Sequence, residues 1–295
     1  MFETTRAREP RVFFITFGSK LEFEEAAQRL GQQALDSSFF DDIEVFSASD
    51  LPDDVLNLFF PVKFEQSRGF GYWAWKPYLI NRKIASLQDG DVLVYLDAGF
   101  EINPYGAHRF TYYLDFVARH DVLVFPIPEQ HRRWVKPHSS LKIETQNYFR
   151  NQVGAGFVML KVSDLSRRII RKWYELAFQD SGSALTDWVE EGQIIGSGFM
   201  EHRNDQSILT HVIISENLPV MDRDETSHNP WINGRDYPFL ALRNRSGVSR
   251  IGRLLNPVPV VVFRIVKIAY TKLRAIVGHV YLRVRESLGY PFQRD

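Results

Sequence analysis

Cysteine is absent from all 295 residues. That excludes a disulfide framework and any thiolate metal site, and it fits a reducing compartment. Long apolar runs are absent too, since none approaches the ~20 residues of a membrane-crossing helix. The amino-terminal MFETTRAREP is polar and has no signal-peptide core, so a cytoplasmic location is expected. Net charge is also missing: 36 Lys and Arg balance 36 Asp and Glu, and nucleic acid is not an expected partner. Internal repeats and low-complexity segments do not occur. His131 and His138 lack metal-ligand spacing and read as surface residues.

What is present is an ordinary globular composition, 44% hydrophobic and 24% charged, with a high aromatic share of 14% that includes 23 Phe and 12 Tyr. Such rings suit a large core and also suit stacking on sugars or bases. The zero net charge hides a split. From Arg243 onward 11 Lys or Arg face two acids, which leaves 25 and 34 before it. The chain therefore divides into a body, residues 1–242, of about −9 and a tail, residues 243–295, of +9.

Along the body, short apolar runs alternate with helical patterns. Arg11–Phe17 (RVFFITF) reads as a strand ending at Gly18, and a helix carrying Phe23, Ala26, Ala27, Leu30 and Ala34 on one face follows it. Ile43–Phe46 and Val92–Leu96 read as further strands, and this alternation predicts a parallel sheet with crossover helices. Asp97 stops the Val92–Leu96 run and is followed by two small residues. An acid at the carboxyl end of a buried strand sits where open α/β sheets bind ligands. Arg68–Leu79 (RGFGYWAWKPYL) precedes and opens a helix, so Arg68 and Lys76 lie near a helix start, where anions are attracted. A helix over about 107–119 and a strand at Val122–Phe125 come next, and the polar stretch 126–140 reads as a long loop. Gln152–Lys161 is a Gly-rich approach to a strand, Ser163 caps a helix, and Asn204 is the expected cap of another that begins Asp205-Gln206. Pro219–Met221 reads as a last strand.

In this order RGFGYWAWKPYLI, DGDVLVYLDAGFEIN and HRNDQSIL resemble the nucleotide-sugar glycosyltransferases of the GT-A fold. The likeness is to bacterial polysaccharide and lipopolysaccharide transferases and, more distantly, to the glycogenin-like family; it spans about residues 11–235. It implies an α/β GT-A (Rossmann-like) domain, with a mostly parallel central sheet flanked by helices. The implied reaction moves a hexose from a nucleotide diphosphate sugar, in particular a UDP-sugar, to a saccharide or lipid-linked glycan in surface-polysaccharide synthesis. By resemblance Thr16, Gly18 and Arg29 belong to the nucleotide end, and Arg68 and Lys76 to the diphosphate or sugar. Gln152, Gly154, Ala155 and Gly156 lie beside the sugar, and Asp205 and Gln206 form an acid–amide pair beside the reacting carbon. Asp205 is then either the base of an inverting enzyme or the stabilising group of a retaining one. The family's Asp-x-Asp motif, which holds Mn²⁺ or Mg²⁺, is represented by Asp97 alone because Gly99 replaces the second acid. Glu101, two positions on by strand periodicity, and His228, placed like the family's late histidine, are the substitute ligands. A sugar-nucleotide pyrophosphorylase and a non-catalytic carbohydrate-binding or scaffold protein are the alternatives. The first would need a Gly-rich, basic loop after the first strand, where GSKLEF stands.

The tail has no place in that resemblance. Between Leu254 and Leu288 apolar residues interleave with Arg264, Lys267, Lys272, Arg274, Arg283 and Arg285. This is the pattern of a helix lying in an anionic membrane interface. It would hold the protein at the inner face of the cytoplasmic membrane; the alternative is packing on the body or on a second subunit, giving a homodimer.

Overall fold

The computed structural model describes residues 9–251 apart from 60–61, 148, 190, 193, 197 and 229–233. Its elements run β1 (Val12–Gly18), α1 (Leu21–Ser37), β2 (Asp42–Ser47), α2 (Asp53–Leu56), α3 (Gly69–Tyr72), α4 (Trp75–Ser86), β3 (Val92–Leu96), β4 (Glu101–Ile102), α5 (Ala107–His120) and β5 (Val122–Leu123). They continue with β6 (Pro126–Gln130), β7 (Asn151–Val153), β8 (Phe157–Lys161), α6 (Asp164–Phe178), α7 (Asn204–Ser215) and β9 (Phe239–Leu240).

Five strands form the central sheet in the order β2-β1-β3-β8-β5. β1 pairs parallel with β2 and β3, while β8 runs antiparallel to both β3 and β5. Four strands thus share one direction, as the mostly parallel expectation requires, and β8 is the single reversed strand. The reversal has a consequence for placement. Leu96, the last residue of β3, lies opposite Phe157, the first residue of β8. The Gly154–Gly156 approach therefore reaches the same sheet edge as Asp97.

Alternation along the strands supplies both faces. Phe13, Ile15, Phe17, Leu93, Tyr95, Val158 and Leu160 pack with Leu79, Ile80 and Ile84 of α4, Ile169, Ile170 and Trp173 of α6, and Ile208, Leu209, Val212 and Ile213 of α7. Phe14, Val94, Leu96, Phe157 and Met159 turn the other way, toward Leu30 and Ala34 of α1 and Phe110, Tyr113 and Val117 of α5. Each large side chain buried this way is worth about 1.5–3 kcal/mol. Gly18 lets α1 begin hard against β1, since a Cβ there would sit 2.4 Å from the Phe23 carbonyl oxygen. Ser163 caps α6 through a reciprocal pair with Ser166, as its position suggests.

Other elements depart from the pattern reading. The stretch expected as a loop from residue 126 contains β6, which pairs with β7. His131 and His138 are buried, not on the surface. Pro219–Met221 forms no strand; the late strand is β9, paired with β4. Arg203, not Asn204, is the N-cap of α7, and Asn204 donates instead to the Leu185 carbonyl at 2.7 Å and to Asp187 at 3.0 Å. Local spacing is blind to these outcomes because each depends on a partner distant in sequence. Among the described residues no helix is long and apolar enough to cross a membrane. The tail helix expected over 254–288 lies outside them.

Candidate active site

Three elements bring side chains to the edge at the end of β3. β3 delivers Asp97, the start of α4 delivers Lys76, and the start of α7 delivers Asp205. Lys76 Nζ lies 3.1 Å from Asp97 Oδ1 and 2.9 Å from Asp205 Oδ2. The three stretches that carry the sequence resemblance therefore meet at one ammonium. Tyr95 stands two residues before Asp97, on the same face of the strand, and its hydroxyl donates to Asp97 Oδ1 at 2.5 Å. Gly156 completes the corner: its carbonyl accepts from Asp97 N at 2.9 Å, and a Cβ on it would meet Asp97 Oδ2 at 3.0 Å.

Burial grades this group from front to back. The Asp97 side chain is 37% exposed, whereas those of Lys76 and Asp205 are 3% and 6% exposed. A cation in the first turn of a helix opposes the helix dipole, so Lys76 is stable there only with its two acids. Burial works against its ammonium, but Asp205 and Asp97 outweigh burial and raise its pKa. Asp205 responds in the other sense. Burial pushes its pKa from 3.8 up to about 6, against the pull of Lys76 and with the help of Asp97. Beyond the ammonium, Asp205 Oδ2 meets no hydrogen-bond donor among the described residues. One cation thus serves two carboxylates, and the buried one titrates close to neutrality. Burial, with help from Asp97, pushes the Tyr95 hydroxyl well above its ordinary range, so it stays a donor.

The segment before α4 is strained. Gly69, Phe70, Gly71, Tyr72 and Trp73 all have φ between 49° and 79°, a left-handed run that disfavours side-chain-bearing residues by about 1–2 kcal/mol each. Packing holds it, with the Phe64 ring directly over Gly71. Arg68, at its start, pairs with Glu201, approaches Asp187 at 3.8 Å and lies over the Trp73 ring. It is exposed and clasps the segment leading into α7.

Other residues expected at the site lie elsewhere. Arg29, expected at the nucleotide end, is buried, and its guanidinium donates to the carbonyls of Ala98, Phe100, Asn244 and Ser246. Thr16 is fully buried and donates to the Leu96 carbonyl at 2.8 Å. Gln152 is fully buried too, and it contacts Gln206 through their amides at 2.5 Å. Gly154 and Ala155 lead into β8, Gly154 bonding Phe125 across the sheet and Ala155 being buried.

Glu101 was expected to share a cation with Asp97, and the two side chains do not converge in the structure. The strand stops at Leu96 and a turn closes from Phe100 N to the Asp97 carbonyl at 2.9 Å, so strand periodicity fails across it. Glu101 accepts instead from Asn244, Gln33, Ser249, Arg250 N and Ile251 N. Burial would raise its pKa, but those hydrogen bonds hold it below the ordinary value. His228 stacks on Tyr237 with ring centroids 4.5 Å apart. Among the described residues no group of three or more metal-binding side chains stands together. Position 99 is closed as well: a Cβ on Gly99 would lie 3.3 Å from Arg243 Cα, and Gly99 O accepts from Asn244 N at 2.9 Å. Among the described residues Asp97 and Glu101 therefore do not form a paired donor set for Mn²⁺ or Mg²⁺, while His228 Nε2 is buried with no hydrogen-bond partner.

Tyr95 went unrecognised in the sequence although the Tyr-x-Asp spacing on a strand points to it. The fastening of residues 244–251 onto Glu101 had no local signal.

No family model matches the chain. No curated protein matches it either. Solved structures to which it is similar include a glycosyltransferase involved in glycosylation of the major capsid of PBCV-1, at 12% identity and TM-score 0.39, over 83% of this chain and 97% of that one. Mouse xyloside xylosyltransferase 1, apo form, matches at 11% identity and TM-score 0.38 over 74% and 86% of the two chains. The galactosyltransferase LgtC, in complex with donor and acceptor sugar analogs, matches at 12% and 0.37 over 68% and 70%. At such TM-scores the likenesses carry no weight, and the chemistry of the site stands on its own distances.

Proposed function

We propose that the protein is a glycosyltransferase moving a hexose from a nucleotide diphosphate sugar, a UDP-sugar in the first instance, to a hydroxyl of a saccharide or lipid-linked glycan in bacterial surface-polysaccharide synthesis. One observation carries the reading: Lys76, Asp97 and Asp205 come from the three separate stretches that resemble such enzymes, and they share one buried charge cluster. The reacting hydroxyl oxygen bonds the anomeric carbon, and the bond to the diphosphate oxygen breaks with its electron pair leaving on the diphosphate. The hydroxyl proton passes to the carboxylate cluster, where Asp205, ionised above about pH 6, is the acid–base group. Asp97 is the exposed member that meets the sugar. The tail, in the same reading, holds the enzyme at an anionic membrane beside its lipid-linked acceptor.

Hydrolysis or transfer from a panel of nucleotide sugars tests the activity. Turnover of one donor, lost in Asp205→Asn, is the expected result; binding of free glycans without turnover of any donor would leave a carbohydrate-binding protein, and nucleotidyl transfer to a sugar phosphate a pyrophosphorylase. Sedimentation with anionic vesicles tests the tail, comparing the full chain with one ending at Ile251 so that the contacts of Glu101 stay intact. Equal partitioning of the two would remove the membrane role.

A further inference from the structure

Beneath Gln206 lies a chain of hydrogen bonds whose polarity is fixed at its far end. The Ser207 hydroxyl has one hydrogen and gives it to the Trp134 carbonyl at 2.6 Å, while accepting from Arg203 N at 3.0 Å. Both Ser207 Oγ and Trp134 O are therefore acceptors toward Gln152, which meets them at 3.4 and 3.2 Å. His131 Nδ1 approaches the same end of the Gln152 amide at 3.4 Å. Burial, with His211, lowers the pKa of that imidazole to about 3, so it is neutral, and Nδ1 takes whichever role the tautomer gives it while Ser207 Oγ and Trp134 O set the polarity. The Gln152 end facing Ser207 Oγ and Trp134 O must be its NH₂, because a flipped amide would set its oxygen directly against these two acceptors at a fully buried residue.

The carbonyl oxygen of Gln152 then faces Gln206, at 2.5 Å from its Nε2. Only the NH₂ of Gln206 can occupy that position. Its Oε1 is turned away, meets no donor among the described residues, and is not buried. Gln206 adjoins Asp205 in the first turn of α7. We propose that Gln152 is a positioning residue, fully buried and out of reach of substrate, which fixes the Gln206 amide so that its carbonyl oxygen, and not its NH₂, accepts a hydrogen bond from a sugar hydroxyl in the site. The proposal rests on the glycosyl-transfer reading for its substrate, but the amide orientation itself does not.

The orientation has a direct readout. In wild-type protein the Gln206 side-chain NH₂ should show one proton shifted and slowed in solvent exchange by NMR, and Gln152→Met should abolish that protection. Gln206→Glu gives a second test through pH. Its carboxylate would set oxygen against Gln152 Oε1, whereas its protonated form donates there and leaves a carbonyl free. The ratio of variant to wild-type kcat should therefore rise about tenfold or more from about pH 8 to about pH 5.5. In Gln152→Met, kcat should fall about tenfold while KM for the donor changes little. A ratio that is flat or falls with acid, or an unprotected Gln206 amide in the wild type, overturns the proposal. A protected amide in a protein that turns over no nucleotide sugar keeps the orientation and removes the transfer reading alone.

Discussion

Two carboxylates four positions apart, the half-exposed Asp97 and the buried Glu101, seed clusters that handle charge in opposite ways. Around Glu101 donors are in surplus: Arg29 lies 3.8 Å away, and two backbone N–H groups and the side chains of Asn244, Gln33 and Ser249 supply the rest. Around Asp97 donors are fewer: the Tyr95 phenol serves it alone, one ammonium is shared between it and Asp205, and Asp205 adds only the backbone N–H of Gln206. The pKa directions follow. Glu101 is held below its ordinary value, and Asp205 is pushed up to about 6. A carboxylate wrapped in donors is inert and structural; one buried with too few is poised to take up a proton near neutrality. The difference separates fastening from chemistry across a single turn of chain.

The sharpest way to break the comparison is to remove the poised acid. Asp205→Asn should lower turnover by about 10²–10⁴-fold and also lower the melting temperature, because it leaves the buried Lys76 ammonium with Asp97 as its one remaining acid. Its wild-type counterpart should lose activity as pH falls through about 6, where Asp205 protonates. Stability should move the other way for this one group. The unfolded acid ionises near 3.8 and the folded one near 6, so its contribution falls as pH rises across that window. Glu101, with a lowered pKa, contributes stability above its ordinary range that is lost on acidification. A melt series of Asp205→Asn and wild type across this range checks the signs.

Removing the fastened acid comes next. Glu101→Ala leaves Arg29 buried without its carboxylate and strands the donors of 244–251, and it should lower unfolding free energy by about 3–5 kcal/mol. Denaturant titration measures this. Unchanged stability would mean the 244–251 segment holds without Glu101. Asp97→Asn keeps the shape of the exposed acid and should reduce turnover by at least about 10²-fold while the melting temperature changes little. The smallest effect is expected from chelators. With Glu101 saturated and position 99 closed, excess chelator should leave activity within about twofold. Complete loss, restored by Mn²⁺, would show that Glu101 or His228 leaves its partners when the donor binds.

The sequence exposed the chemistry of the site better than its architecture. Asp97, Lys76 and Asp205 each stand in a stretch with a local signature: a buried run cut by an acid, an aromatic helix start, and an acid in a first helical turn. Tyr95 was legible by the same period-two rule and needed only to be paired with Asp97. Glu101 was not legible, because the Asp97–Phe100 turn ends the alternation from which its direction was inferred. His131 and His138 read as exposed since histidine in a polar, proline-rich stretch carries no local sign of burial; packing against Gln152 and Ser183, each distant in sequence, decided it.

What the sequence alone determined is the set of faces. Continuous apolar runs in β1, β3 and β8 and the helical stripes of α1, α4, α5 and α6 suffice to demand a sheet covered on both sides, because a strand apolar on both faces needs a helix layer over each. What only tertiary structure decided is the direction of β8 and the partner of each buried charge. Strand direction leaves no trace in an apolar run, and a charge is paired or stranded by groups up to 150 positions away, as Ile251 N is from Glu101. The reversal of β8 sets Gly156 against Asp97, and the long-range pairing makes one acid a fastener and another a proton acceptor.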